Sequence, residues 1–142
     1  MKTTTKWADG LQFNMTNAIG TEMIMDARKE IGGGEKGVTP MEAILGGLAG
    51  CMGMDVVTIL RPQKDKIQLL EFETDGNQNQ EKPNFFTDIH TTVRVEGDIK
   101  ADRIWRAVRL SDEKYCSVAN SLKANLTYSV ILNGEEVEDE KK

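Results

Sequence analysis

The segment from Thr39 to Pro62 constrains this chain more than any other. Thr39-Pro40-Met41-Glu42 is a helix start. Thr39 can cap, Pro40 suits the first helical position, and Glu42 completes a capping box. Pro62 disfavours helix at the residue before it, so the helix is expected to end near Leu60 or Arg61. Between these limits Ile44, Leu45, Leu48, Met52, Met54, Val56, Val57, Ile59 and Leu60 place apolar side chains nearly all round. Such a helix is expected to be buried on most sides. Gly46, Gly47, Gly50 and Gly53 each cost about 1 kcal/mol relative to Ala. Close backbone approach by another helix or a sheet is the expected offset. The longest charge-free piece, 43–54, has 12 residues, too few to cross a bilayer.

The flanking sequence divides into strands and shorter helices. Thr3–Trp7 and Leu11–Met15 flank Asp9-Gly10, a tight-turn pair, and Thr21–Asp26 alternates as a third strand. Arg28–Gly37 is a loop. Its Gly32-Gly33-Gly34 run lacks the spacing of a phosphate-binding loop, and a mobile loop beside a site is the expectation. Lys66–Asp75 and Thr87–Glu96 are strands, with Ile89, Thr91, Val93 and Val95 on one face. Lys100–Leu110 is an amphipathic helix with Ala101, Ile104, Trp105 and Val108 on its apolar stripe. A further helix is expected from Ser111 as its cap, with Tyr115, Val118, Ala119 and Leu122 inward. Leu126–Leu132 is a last strand. Hairpins of strands and blocks of helices indicate an α+β fold. Residues 1–142 read as a single domain, with 134–142 a charged, frayed tail.

Composition removes several classes of function. A net charge of −5 and a pI of about 5.0 argue against nucleic acid, which needs clustered Lys and Arg. No apolar stretch follows the first six residues as in a signal peptide, so a cytoplasmic protein with no membrane partner is expected. The two cysteines, Cys51 and Cys116, are too few for a disulfide-stapled scaffold. With His90 alone, a Cys/His zinc site lacks ligands, and no metal or cofactor is expected. His90 is also the only histidine that could activate a thiol or serve a catalytic triad, and it lies in a strand.

The two cysteines read differently from their surroundings. Cys51, inside the apolar helix, fits a buried and inert thiol acting as a small hydrophobe. Cys116, in the first turns of the helix expected from Ser111, fits either a core position or a thiolate favoured by the helix N-terminus and Lys114. Asp112 and Glu113 oppose that effect. Asp55, an acid on an apolar helix, needs a hydrogen-bonding partner.

Thr39-Pro40-Met41-Glu42-Ala43-Ile44-Leu45-Gly46-Gly47-Leu48-Ala49-Gly50-Cys51 resembles the helix signature of the OsmC/Ohr family, the osmotically inducible and organic hydroperoxide resistance proteins. Ser111-Asp112-Glu113-Lys114-Tyr115-Cys116-Ser117-Val118 resembles its second cysteine motif. Lys6-Trp7-Ala8-Asp9-Gly10-Leu11 and Met52-Gly53-Met54-Asp55-Val56-Val57 are most similar to the YhfA-type branch. The resemblance covers almost the whole chain. It implies an OsmC-like fold, antiparallel sheets around a long buried helix, in an intertwined homodimer. It also implies a thiol-dependent peroxidase acting on small hydrophobic hydroperoxides, organic or lipid, with Cys51 peroxidatic, Cys116 resolving, and a dithiol as reductant. In the hydroperoxidases a Glu directly follows the helix proline and pairs with an Arg. Here that position is Met41, so Glu42 and Arg28 are the nearest candidates. A non-catalytic module binding a hydrophobic ligand in the dimer cleft and a redox sensor are the alternatives.

Overall fold

The computed structural model describes residues 1–141, and the chain divides into two compact units, Met1–Ile44 and Leu45 onward. The first unit is the expected three-stranded meander. β1 (Thr3–Asp9), β2 (Gln12–Asn17) and β3 (Glu22–Met25) pair antiparallel in chain order. Gly10 turns the first hairpin at φ +53°, where glycine carries no Cβ penalty.

The glycine loop is built around a side chain. The Asp26 carboxylate lies inside it and accepts N–H bonds from Ala27 at 2.7 Å, Gly34 at 3.3 Å and Lys36 at 3.2 Å. These bonds, led by that from Ala27, hold the Asp26 carboxyl below its ordinary value. The loop's N–H groups thus cradle an anion supplied by the chain itself. A Cβ on Gly33 would fall 1.9 Å from the Ala27 carbonyl oxygen, so close backbone approach accounts for that glycine.

Helix α1 (Pro40–Ile59) begins with the expected capping box. The Thr39 N–H donates to Glu42 Oε1 at 2.9 Å, and the Glu42 N–H to Thr39 Oγ1 at 3.2 Å. Its expected burial on most sides is not found. Leu48, Met52 and Val56, spaced four apart, are the buried residues, whereas Met54 and Val57 are exposed. A Cβ on Gly46, Gly47 or Gly50 would meet nothing within 4 Å. Of the four helix glycines only Gly53 approaches another element, its Cβ position lying 3.4 Å from Phe72.

The second unit is built on a four-stranded sheet in the order β4-β5-β6-β7. β4 (Ile67–Gln78) and β5 (Phe86–Gly97) form a long antiparallel hairpin. β6 (Asn125–Leu132) runs parallel to β5. A parallel neighbour requires a crossover, supplied by α2 (Ala101–Leu110) and the turns after it. The inward face of β5 is the expected Ile89, Thr91, Val93 and Val95, all buried. Val93, Val95 and Val130 meet Met52 and Val56 of α1, Leu60 just after it, and Ile104, Trp105 and Val108 of α2 in one core.

The expectation of a frayed tail over 134–142 requires correction at its start. Asn133 at φ +51° and Gly134 at φ +84° make a tight turn, and β7 (Glu135–Val137) pairs antiparallel with β6. Asn-Gly readily takes positive φ at both positions. The Trp105 indole N–H donates to the Val137 carbonyl at 2.9 Å, and Arg109 pairs with Asp139. Lys142 lies outside the described residues.

Candidate active site

No separate helix begins at Ser111. Ser111 continues α2 in helical geometry, φ −62° and ψ −51°, whereas a capping residue needs extended backbone. Residues Ser111–Tyr115 form one π-helical turn, closed by the Cys116 N–H on the Ser111 carbonyl at 2.7 Å. Cys116 follows in extended conformation, and a short 3-10 turn spans Ala119–Ser121. The expected placement of Cys116 in the first turns of a helix is therefore wrong. The Ser111 hydroxyl is buried and donates to Asp55 Oδ2 at 2.8 Å. That bond supplies the partner Asp55 requires.

This turn brings the two thiols together. Cys51 Sγ, Cys116 Sγ and an Asp55 carboxylate oxygen all lie within 4.8 Å of one another. Cys51 and Asp55 are four residues apart on α1, so they share a face. Both cysteines are free thiols. Cys116 is fully buried and Cys51 partly accessible. Around Cys116, Leu48, Ile89 and Ala119 form a small core with Leu45, Phe86, Leu122 and Leu126 packed against it.

The surroundings keep Cys116 protonated. Burial raises its thiol from 9.0 to about 11, and neighbouring Cys51 adds to the rise. The Ala119 N–H, which donates to Cys116 Sγ at 3.3 Å, opposes it. Asn120 holds the Cys116 carbonyl through its backbone N–H and side-chain amide, at 3.1 and 2.8 Å. Beside the site, the Tyr128 hydroxyl donates to Asp112 Oδ1 at 2.6 Å. Burial and that carboxylate push Tyr128 well above its ordinary range.

Arg28 and Glu42 are brought together within the first unit. Arg28 Nη2 lies 3.2 Å from Glu42 Oε2, with side chains 61% and 46% exposed. The Thr39 N–H and hydroxyl, then Arg28, hold the Glu42 carboxyl below its ordinary value. Glu42 thus serves the helix cap and the ion pair together. His90 stands on the exposed face of β5, with ring nitrogens 2.7 Å from Thr127 Oγ1 and 3.0 Å from Ser129 Oγ. Ser111 is the site residue that the sequence assigned to a different task. The signal available was Asp55, an acid on an apolar helix, which called for a buried partner without naming it.

The OsmC-like protein family matches residues 32–130. Protein YhfA of Escherichia coli K12 is 37% identical over 132 residues, 91% of this chain and 96% of that protein. A chain solved in structural genomics is 35% identical with a TM-score of 0.80, covering 93% of this chain and 98% of its own. An organic hydroperoxide resistance protein from Legionella pneumophila, described as a predicted redox protein, shares the fold at 14% identity and a TM-score of 0.62 over 93% and 96% of the two chains.

Proposed function

The chain belongs to the OsmC-like protein family, and from that premise we propose that it is a thiol-dependent peroxidase for organic or lipid hydroperoxides. The observation that carries the reading is the unequal thiol pair: two free sulfurs within 4.8 Å, one accessible and one buried and held protonated.

Each thiol suits a different step. Cys51, the accessible one, attacks the terminal oxygen of the hydroperoxide as a thiolate. The O–O bond breaks, the alkoxide leaves as an alcohol after taking a proton, and Cys51 becomes a sulfenic acid. Cys116 then attacks the Cys51 sulfur. A disulfide forms, the hydroxyl departs as water, and the Cys116 proton completes the balance. A dithiol reductant restores both thiols by exchange and is itself oxidised to a disulfide. Protonation of Cys116 keeps it out of the first step. The apolar side chains around the pair favour an alkyl hydroperoxide over hydrogen peroxide.

A homodimer is part of the proposal. Met54 and Val57 leave an apolar face of α1 exposed beside the open positions of Gly46, Gly47 and Gly50. Such a face suits close packing against a second copy.

Stopped-flow consumption of cumene hydroperoxide with a dithiol reductant tests the reaction. Cys51→Ser is expected to reduce it to background. Cys116→Ser is expected to leave a single turnover and a sulfenic acid on Cys51 that dimedone traps. Equal consumption by wild type and Cys51→Ser would refute the proposal.

A further inference from the structure

The side chains that face one another across α1 and the turn after α2 form a donor set as well as a redox pair. Two thiol sulfurs and a carboxylate oxygen converge within 4.8 Å. We propose that the reduced protein binds a thiophilic divalent cation, Zn2+, through Cys51, Cys116 and Asp55. Binding requires only the reduced site and is independent of the peroxidase reading.

The donors suit the ion in type, spacing and support. Tetrahedral zinc takes thiolate at about 2.3 Å and carboxylate at about 2.0–2.2 Å, which sets its ligand atoms about 3.5–3.8 Å apart. A triad already within 4.8 Å needs to close by about 1 Å to reach that geometry. Ser111 bonds Asp55 Oδ2 at 2.8 Å and leaves the other carboxylate oxygen for the ion. The Ala119 N–H on Cys116 Sγ is a contact that a metal-bound thiolate retains. Hydrogen bonds of this kind fix the orientation of metal ligands. The partial accessibility of Cys51 leaves the fourth position open to water.

Charge favours the same reading. Two thiolates and a carboxylate at this spacing would carry three negative charges. Like charges this close repel one another, whereas a divalent cation uses all three donors. Binding is therefore an exchange in which Zn2+ enters and the two thiol protons leave. Since both sulfurs are then ligated, zinc loading and disulfide formation exclude one another.

The test uses the full chain, reduced, metal-stripped and free of oxygen, titrated with Co2+ and then Zn2+. A near-ultraviolet thiolate-to-cobalt band is expected, saturating at one ion per chain with release of two protons, and lost when Zn2+ displaces the Co2+ with no further proton release. Cys51→Ser is expected to lose the band. Ser111→Ala is expected to weaken Zn2+ binding about 10-fold, and Asp55→Asn by at least as much. Far-ultraviolet circular dichroism shows that each variant is folded. Cys51, as the accessible thiol, is the ligand whose replacement leaves the core intact. Absence of the band while both thiols titrate as free would overturn the proposal. So would a band undiminished in Cys51→Ser, or Zn2+ affinity unchanged in Asp55→Asn. Hydroperoxide turnover, measured separately on the metal-stripped protein, is unaffected by either result.

Discussion

At Cys116 the fold works against ionisation, and this has a consequence for stability. In the unfolded chain the thiol titrates near 9.0; in the folded protein burial raises it to about 11. A folded-state value above the unfolded one means the native protein retains a proton that the unfolded chain has lost. The stabilisation is fully present below pH about 9 and is lost as pH rises through about 11. The loss amounts to about 3 kcal/mol. Urea denaturation of the reduced protein between these values should show wild type losing stability relative to Cys116→Ser as pH rises. A constant difference would refute the shift. The sequence identified both cysteines and noted that Asp55 needed a partner, because apolar surroundings penalise an unpartnered acid wherever the chain goes. It misassigned Cys116, since a Ser-Asp-Glu run has the composition of a helix start. Whether Ser111 actually starts a helix depends on its own φ and ψ, and α2 runs straight through it.

Among the elements, α1 shows the limits of pattern reading most clearly. Its ends were legible because capping boxes and proline act locally. The number of its buried faces was not, because burial depends on what the rest of the chain brings. In this chain a single stripe, Leu48, Met52 and Val56, enters the core. β7 was legible in principle from Asn133-Gly134, but the charges that follow resemble a solvated tail. The pairing is secured by Trp105 bonding Val137 and by Arg109 bonding Asp139, contacts thirty or more residues apart in the chain. The glycines separate by what surrounds them. Gly53→Ala places a methyl in ordinary contact with Phe72, and the gain in helix propensity should stabilise the protein by up to about 1 kcal/mol. Gly76→Ala places one 2.5 Å from Phe86 and should destabilise by about 1–3 kcal/mol through overpacking. Urea midpoints measured on both variants decide the pair. A stabilising Gly76→Ala would mean that Phe86 gives way.

For the molecule as a whole, the open question posed by the fold is what covers α1. The helix is long and apolar enough to cross a membrane by length and composition alone. Yet its inner stripe packs on a sheet and Asp55 bonds a buried serine, as in a helix seated in a protein core. The uncovered part carries Met54, 74% exposed, with Val57 beside it and glycines that admit a close neighbour. Gly46, Gly47 and Gly50, costly in isolation and open on that side, gain a purpose if a second copy packs there. We therefore expect sedimentation at twice 15.8 kDa. Met54→Glu separates this from a free surface. Within one chain the side chain is exposed, and a surface substitution away from special features changes stability by no more than about 0.5 kcal/mol. Against a second copy the same change buries an unpaired charge, which is strongly unfavourable. Met54→Glu should accordingly sediment as a folded monomer with the circular dichroism of wild type. A wild type that sediments at 15.8 kDa at micromolar concentration, or a Met54→Glu that remains dimeric, would show that this face of α1 is not where two copies meet.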